Sequence, residues 1–266
     1  MSSTPDTERL TRGADRFAMM SPPTFDSASE QQYYEKCRLA AAFRLFSKYG
    51  FDEGLAGHIS LRDCISPDTF WVNPVGRHFS MMRVSDLVRV SHEGEIVEGH
   101  SPINNAAFAI HSRIHAQHPH VNAVAHAHSV SGRAFASLGQ KLAPISQDAC
   151  MFFENHDVFS EFHGVVADTT EGDRIADKLG NHIALILQNH GLLTAGSSVD
   201  AAAANFVMFD SCCHSQLLAQ AAGPLTTIDE QTARKTAAVN ASDLVTWGNF
   251  QPVYEKLVSE DDSFLN

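Results

Sequence analysis

The sequence predicts an α/β fold, in which a β-sheet is covered by α-helices. Two observations support this prediction. Short apolar segments that suit buried strands alternate with longer segments whose apolar residues recur at helical spacing. The length of 266 residues, with 44% hydrophobic and 19% charged residues, is typical of a folded domain with a substantial core.

The predicted elements begin after a polar segment. The first thirty residues contain Pro5, Pro22 and Pro23 and predict a mobile arm. Helices are predicted at 34–45, 104–117, 130–138 and 170–179, and a long helix follows the capping segment 197–200. Strands are predicted at 58–62, 69–73, 86–90, 95–97, 121–128 and 164–167, and a strand pair extends from 183 to about 194.

The chain is acidic, because 19 Lys and Arg residues stand against 31 Asp and Glu residues, a net charge of −12. Such a chain repels nucleic-acid phosphates and anionic lipid, so we expect neither nucleic acid nor a membrane as a partner. No apolar segment approaches the roughly 20 residues of a membrane-spanning helix, and the N-terminus lacks the apolar core of a signal peptide. The five cysteines are an odd number without a CxxC pair, which favours a reducing compartment and a cytoplasmic location.

Three histidines at the ends of two apolar strands form the most informative pattern. Strand 121–128 carries His126 and His128, and the period of two places both imidazoles on one face of the strand end. A second apolar strand, 183–188, is followed directly by an Asn-His-Gly tripeptide that contains His190. Three neutral imidazoles with one coordination position left open are typical of a catalytic transition-metal site.

An ordinary hydrogen-bonded role is the alternative for any histidine in a chain that has 15 of them. That interpretation is favoured for His111 and His115, which lie four residues apart in a predicted helix. It is also favoured for the histidines expected in loops or at the surface, which are His78, His92, His100, His118, His120 and His182.

The two histidine motifs resemble those of the class II aldolase/adducin family. The resemblance covers about residues 33–222 and includes segment 56–62 (Ala-Gly-His-Ile-Ser-Leu-Arg) and segment 71–76 (Trp-Val-Asn-Pro-Val-Gly). His111 and Pro119 precede the first histidine pair as they do in the family. The resemblance implies a three-layer α/β/α fold with a central mixed, mainly antiparallel sheet.

The resemblance also divides the chain. A class II aldolase/adducin-like domain is expected over residues 31–224, after the flexible arm at residues 1–30. Residues 225–266 then form a C-terminal tail, expected to be helical and packed on the domain or on a neighbouring subunit.

A divalent metal is implied as the cofactor, since catalytic members of the family hold one with three histidines. The ligands carried over to this sequence are His126, His128 and His190. Zn²⁺ is expected first because a neutral site of three imidazoles with an open position matches its catalytic pattern, with Mn²⁺, Co²⁺ or Fe²⁺ as alternatives.

An acidic residue is missing from the position where the sugar-phosphate members of the family have their general base. That position is Ala107, and no Asp or Glu lies between Glu98 and Asp148. The family's Gly-Asn phosphate turn reads Gly57-His58 here, and its phosphate-binding serines fall near Asn105 and Ala106. We therefore do not expect a sugar phosphate as the substrate.

Candidate catalytic residues lie in segment 147–156. The corresponding family segment supplies a proton donor, commonly a tyrosine, but this segment has none. Gln147, Asp148 and His156 are the replacement candidates, and a hydrogen-bonded loop is an equally weighted alternative for each of them.

Substrate binding is assigned to residues expected near the altered phosphate turn, namely Asn73, Gly76, Asn104 and Asn105. Asn104 and Asn105 begin a predicted helix, whose backbone N–H groups and dipole favour a carboxylate. Arg77 offers a charge nearby, although a solvated loop arginine is the favoured interpretation.

The expected function is that of a metal-dependent carbon–carbon lyase acting on a small non-phosphorylated carbonyl acid through a metal-stabilised enolate. Decarboxylation ranks above retro-aldol cleavage because departing CO₂ leaves its electrons behind and no acidic base is needed. The alternative is a catalytically inactive, adducin-like interaction protein, which accounts for Ala107 but not for three intact histidines.

A homotetramer is implied as well, because sites in the family lie between the subunits of a cyclic tetramer. Segment 147–156 is then expected at or near the interface. The chain has 17 phenylalanines, and Phe152, Phe153 and Phe159 are expected in surface segments that a partner subunit covers.

Overall fold

The structure is a computed structural model that describes residues 21–164 and 169–266. Within these residues, strands form one sheet. They are β1 (His58–Arg62), β2 (Thr69–Val72), β3 (Val88–Ser91), β4 (Ile96–Glu98), β5 (Ala123–Ala127), β6 (His156–Phe159), β7 (Ala184–Leu187) and β8 (Gly191–Gly196). The helices are α1 (Ala28–Lys48), α2 (Asn105–Gln117), α3 (Val130–Ala136), α4 (Thr169–Leu179), α5 (Val199–Ala222), α6 (Glu230–Asn240) and α7 (Asp243–Glu260).

The sheet has the strand order β4-β3-β2-β1-β5-β8-β7-β6. Neighbouring strands are antiparallel except for β6 and β7, which are parallel. The sheet is therefore mixed and mainly antiparallel, as predicted.

Each face of the sheet is covered by its own set of helices. In β7, Ala184 and Ile186 point into a core that also contains residues of α1, α5 and α7. Leu185 and Leu187 point the other way, into a core with residues of α2 and α4. The period of two along a strand produces this separation, and the resulting α/β/α layers confirm the predicted fold class.

Helix boundaries follow from capping side chains. The Ser27 hydroxyl accepts a hydrogen bond from Glu30 N–H, so α1 begins at Ala28, inside the segment predicted as an arm. The Ser198 hydroxyl accepts from Ala201 N–H at the start of α5. Asp200, predicted as part of this cap, instead points inward and pairs with Arg38.

Two features of the middle of the chain differ from the sequence prediction. Strand β6 was not predicted, and the predicted strand 164–167 lies outside the described residues except for Gly164, which is in a bend. Phe152 and Phe159 were expected at the surface, but both are buried. Phe152 packs against Phe209 of α5, with ring centroids 4.5 Å apart, so the chain's own helices cover this segment.

The C-terminal residues add two helices to the domain. Phe250 and Leu257 of α7 are buried in the same core as α1 and α5, and α6 contacts the short 3₁₀ helix Ala149–Phe152. None of the helices in the described ranges is long and apolar enough to cross a membrane.

Candidate metal centre

Three histidines meet at one end of the sheet because β5, β7 and β8 end or turn there. His126 is in β5, His128 follows that strand, and His190 lies in the turn between β7 and β8. Strands β5 and β8 are paired, with His126 opposite Leu193. Asn189 precedes His190 with a φ of 59°, a left-handed conformation that asparagine tolerates better than most residues.

The geometry of the three imidazoles suits a metal ion. One ring nitrogen of each histidine lies within 4.8 Å of those of the other two. The His126 ring centroid is 5.0 Å from that of His128 and 4.7 Å from that of His190. His126 Nδ1 donates a hydrogen bond to the Leu192 carbonyl oxygen at 2.8 Å, which leaves Nε2 as the nitrogen with a free lone pair.

Burial keeps these histidines neutral, as metal ligands must be. It lowers the pKa of His190 to about 4 and holds the pKa of His126 well below its ordinary value. The pKa of His128 is also lowered, mainly by burial. Three neutral, converging imidazoles fit a divalent transition metal.

Gly191 is required by the close approach of the backbones at this centre. A Cβ atom at this position would lie 3.0 Å from the Ala127 carbonyl oxygen and 3.5 Å from ring atoms of His126 and His128. Any larger residue would therefore press on the strand that carries two of the three histidines.

A cavity of about 440 Å³ opens beside the three histidines. Its wall includes Arg133, whose guanidinium donates a 2.8 Å hydrogen bond to Glu53. No aspartate or glutamate is among the residues that line it within 21–164 and 169–266. The polar lining residues are His58, Asn104, His126, His128, Arg133, Asn189 and His190.

A smaller cavity of about 80 Å³ brings together three of the four predicted substrate-binding residues. Asn73, Gly76 and Asn104 line it, and Asn104 lines the larger cavity as well. Asn105 is exposed and lines neither. Arg77 also lines the small cavity, but its guanidinium is 3.2 Å from the Asp86 carboxylate.

At the start of α2, the Asn104 side chain accepts hydrogen bonds from two of the backbone N–H groups near the predicted anion site. Asn104 Oδ1 accepts hydrogen bonds from the backbone N–H groups of Ala106 at 2.9 Å and Ala107 at 3.5 Å. The prediction of a carboxylate at this helix start named no individual N–H group, and it stays a prediction. Asn104 acts as a helix cap.

The predicted catalytic residues Gln147, Asp148 and His156 do not line the histidine cavity. His156 Nε2 accepts a 2.9 Å hydrogen bond from Leu142 N–H, and its Nδ1 donates to the Phe152 carbonyl oxygen. Both ring nitrogens are thus used in hydrogen bonds within the protein, which favours the hydrogen-bonded alternative for His156. Gln147 and Asp148 are exposed, and a role for them in a neighbouring subunit's site stays a prediction.

The sequence prediction missed His58 as a residue of this site. His58 of β1 lies opposite His126 of β5, and their rings stack with centroids 5.2 Å apart. His58 also contacts His111 of α2, and Ser60 contacts both His111 and His115. The available signal was the spacing, since His58 and Ser60 share a strand face and His111 and His115 share a helix face.

Comparison with known proteins identifies the family. The family model described as "Class II Aldolase and Adducin N-terminal domain" matches residues 37–217. "Decarboxylase NovR" of Streptomyces niveus is 46% identical over 242 residues, which cover 90% of this chain and 90% of that protein. A "4-hydroxy-3-prenylphenylpyruvate oxygenase/4-hydroxy-3-prenylbenzoate synthase" of Streptomyces roseochromogenus subsp. oscitans is 45% identical, covering 90% of this chain and 87% of that protein.

A solved structure gives the same result. The "L-fuculose 1-phosphate aldolase" from Glaciozyma antarctica PI12 matches with a TM-score of 0.86 and 38% sequence identity, over 92% of this chain and 96% of that chain. These relatives are named as enzymes, and the chain is an enzyme as predicted, rather than an inactive interaction protein. It belongs to the class II aldolase and adducin family.

Proposed function

We propose that this chain is a metal-dependent decarboxylase acting on a small, non-phosphorylated carbonyl acid. The observation that carries the proposal is a cavity with three converging neutral histidines and no lining carboxylate among the described residues. Proton abstraction from carbon needs a base, and the position that supplies an acidic base elsewhere in the family is Ala107. Loss of CO₂ needs none. The name of the Streptomyces niveus relative supports the same reaction class.

His126, His128 and His190 would hold the metal. A bound divalent metal supplies Lewis-acid stabilisation of negative charge that develops on a carbonyl oxygen. Arg133 faces the same cavity. Among the described residues that line this cavity, it is the only arginine or lysine. Only one of its nitrogens donates to Glu53, so its other N–H groups can bind the substrate's carboxylate while the carbonyl end lies toward the histidines.

The position of the carbonyl group decides whether dioxygen is needed. A 3-oxo acid that loses CO₂ leaves an enolate, which can be stabilised at its oxygen. A 2-oxo acid would leave an acyl anion, whose charge has no such oxygen to move to. Without an organic cofactor to take up that charge, its cleavage needs an oxidant. The relative named as a phenylpyruvate oxygenase makes this oxidative cleavage the second candidate function.

Retro-aldol cleavage is the third candidate, because the solved structure with 38% identity is titled an aldolase. It requires a base for the substrate hydroxyl group, and the lining residues offer only imidazoles for that role. It therefore ranks below decarboxylation.

Zn²⁺ is the first choice of metal, because a neutral site of three imidazoles with an open position matches its catalytic pattern. Mn²⁺, Co²⁺ and Fe²⁺ are alternatives, because three imidazoles suit them as well.

We further propose a homotetramer. Leu55 and Phe162 are exposed although they line the histidine cavity, and Val130, just after His128, is 66% exposed. Apolar side chains around a polar cavity favour cover by a second copy of the chain. The free cysteines, four of them buried, support a cytoplasmic location.

The test combines metal analysis with a substrate panel. Protein purified without chelator is expected to contain about one divalent metal per chain, and His126→Ala is expected to lose it. His100→Ala, in an exposed loop, is the control and keeps it. A wild-type protein that binds none of the four metals would refute the proposal.

CO₂ release is then measured with acetoacetate and benzoylacetate as 3-oxo acids and phenylpyruvate as a 2-oxo acid, with and without dioxygen. Release from a 3-oxo acid without dioxygen supports the first function. Release from phenylpyruvate only with dioxygen supports the second. Cleavage of L-fuculose 1-phosphate alone would overturn both in favour of aldol chemistry.

Oligomeric state is tested separately by light scattering. A tetramer of the 29.0 kDa chain is expected. Val130→Glu is expected to weaken it, whereas Val239→Glu on α6, with a similar exposure of 61%, should leave it intact. A wild-type monomer at micromolar concentration would contradict the proposal.

A further inference from the structure

A hydrogen-bonded chain of His58, Ser60, His111 and His115 extends from the histidine cavity into the protein. We call these residues the histidine–serine chain. His58 Nδ1 lies 3.3 Å from His111 Nε2, His111 Nδ1 lies 2.6 Å from Ser60 Oγ, and Ser60 Oγ lies 2.8 Å from His115 Nε2. All four side chains are buried. Burial lowers the pKa of His111 to about 3 and holds the pKa of His115 well below its ordinary value.

The hydroxyl group of Ser60 gives this chain a direction. Ser60 Oγ carries one proton, so it can donate to only one of the two histidines. Acceptance from both would leave this buried proton without a partner, so the hydroxyl group donates to one histidine and accepts from the other. A neutral imidazole likewise has one N–H and one bare nitrogen. The chain therefore has two self-consistent arrangements, in which every hydrogen bond runs either toward His58 or away from it.

The inner end of the chain favours the first arrangement. His115 Nδ1 is buried and lacks a hydrogen-bond partner among residues 21–164 and 169–266. The Val121 carbonyl oxygen lies close enough to raise the pKa of His115 slightly against the effect of burial. It already accepts two hydrogen bonds from Arg62, at 3.3 and 3.0 Å, so both of its lone pairs are used. The same guanidinium donates to the His115 carbonyl oxygen at 2.6 Å. A bare nitrogen beside this cation is better tolerated than a buried N–H without an acceptor.

With His115 Nδ1 bare, every other proton is assigned. His115 Nε2–H donates to Ser60, Ser60 donates to His111 Nδ1, and His111 Nε2–H donates to His58 Nδ1. His58 must then carry its own proton on Nε2. No other hydrogen bond of His58 is found in the described part of the chain, and His58 lines the cavity.

We propose that His58 is a fixed neutral hydrogen-bond donor, whose Nε2–H binds the oxyanion that develops on the substrate beside the three histidines. This inference rests on the proposed decarboxylation. Ser60, His111 and His115 are positioning residues that hold His58 in the donor tautomer. The opposite tautomer would present a bare nitrogen, which repels an oxyanion. A preformed donor in a site that excludes water stabilises developing charge at little reorganisation cost, and a neutral imidazole can fill that role.

The experiment measures the tautomer directly and uses Ser112 as a matched control. Ser112 is as fully buried as Ser60 and lies between His111 and His115 in the sequence, but its hydroxyl has no hydrogen-bond partner within the described ranges. Ser60→Ala breaks the chain, whereas Ser112→Ala removes a buried hydroxyl group without touching it. Long-range ¹H–¹⁵N NMR of histidine-labelled, metal-free protein identifies the protonated nitrogen of each ring.

We expect Nε2–H on His58, His111 and His115 in wild type and in Ser112→Ala, and a loss of this preference at His58 in Ser60→Ala. Protonation of His58 at Nδ1 in wild type would overturn the proposal, whatever the enzyme turns over. This measurement is independent of activity, so failure of the proposed function does not affect it.

Kinetics provide the second measurement, with CO₂ release from acetoacetate or benzoylacetate as the assay. His58→Phe keeps a ring against His126 but has no donor, and kcat is expected to fall about 100-fold or more at unchanged metal content. Ser60→Ala is expected to lower kcat about 10-fold with KM nearly unchanged, and Ser112→Ala to change neither. Wild-type kcat in His58→Phe would refute the assignment.

Discussion

Loss of the Asp200 carboxylate is expected to destabilise this protein more than loss of any exposed ion pair. Arg38 of α1 and Asp200 of α5 form a salt bridge, and each side chain is 3% exposed. Arg38 Nε donates to Asp200 Oδ1 at 2.9 Å, and Gln251 of α7 donates to the same oxygen at 2.9 Å. The guanidinium lies 3.6 Å from the centre of the Tyr254 ring. One carboxylate therefore joins three helices on one face of the sheet.

The Asp200→Asn variant keeps the size of the side chain but leaves the Arg38 guanidinium buried without a counter-charge. Breaking a buried pair in this way costs about 3–5 kcal/mol. At about 2–4 °C per kcal/mol for a domain of this size, the melting temperature should fall by roughly 6–20 °C. Removing both charges, in Arg38→Met with Asp200→Leu, should recover much of this loss because no unpaired charge remains.

Urea unfolding of metal-depleted protein, followed by circular dichroism, measures these changes without a contribution from bound metal. Arg234→Ala is the control, since its ion pair with Glu154 is exposed and its loss should hardly move the midpoint. If Asp200→Asn cost no more than Arg234→Ala, or if the double variant were less stable than the single one, the argument from burial would be wrong.

Three further predictions concern the metal centre and the histidine packing. Gly191→Ala should lower metal affinity about 10–100-fold, measured by chelator competition, whereas Gly248→Ala, with open space around its Cβ position, should not change it. Burial lowers the pKa of His156 to about 4. As pH falls from about 6.5 toward 4, this histidine is protonated in the unfolded chain but stays neutral in the folded protein, so the free energy of unfolding decreases. In urea titrations, the loss of stability between pH 7 and pH 5 should therefore be about 2 kcal/mol smaller in His156→Gln than in wild type. An unchanged pH dependence would contradict this. Arg133→Gln should raise KM for a carbonyl acid with little change in metal content, and an unchanged KM would place the carboxylate site elsewhere.

Local patterns were sufficient to predict most of the sheet, including the edge strand β4, but not the other edge strand, β6. Strand β5 ends at the predicted histidine pair, and β7 and β8 flank the predicted Asn-His-Gly turn. Strand β6 was missed because His156–Phe159 is short and includes a charged residue, Asp157. It is a strand because it pairs in parallel with β7, a contact between segments far apart in the sequence.

The difference between local sequence pattern and long-range contact also explains which residues of the candidate site could be predicted. His126, His128 and His190 were predictable because each lies at a strand end that the sequence marks with an apolar run. His58 was missed, because its spacing from Ser60 gives only a shared strand face, and its place beside His126 depends on the register of β1 against β5. A shift of one residue would turn His58 to the other face of the sheet. Arg133 reaches the cavity through the position of α3, which local pattern does not determine either.

The position of the missing acid, Ala107, lies on the same face of α2 as the two histidines that this helix contributes to the histidine–serine chain. Ala107, His111 and His115 are spaced by four residues, so they lie along the same face of the helix. A carboxylate at position 107 would lie one turn from His111 in a buried region, where its charge would favour a protonated imidazole. A protonated His111 has no bare nitrogen for the Ser60 proton, and the direction of the hydrogen bonds that hold His58 as a donor would be lost. In the proposed arrangement, the neutral alanine at position 107 is compatible with a neutral imidazole donor at His58. The absence of a base and a donor at His58 would then favour the same proposed chemistry, which is loss of CO₂.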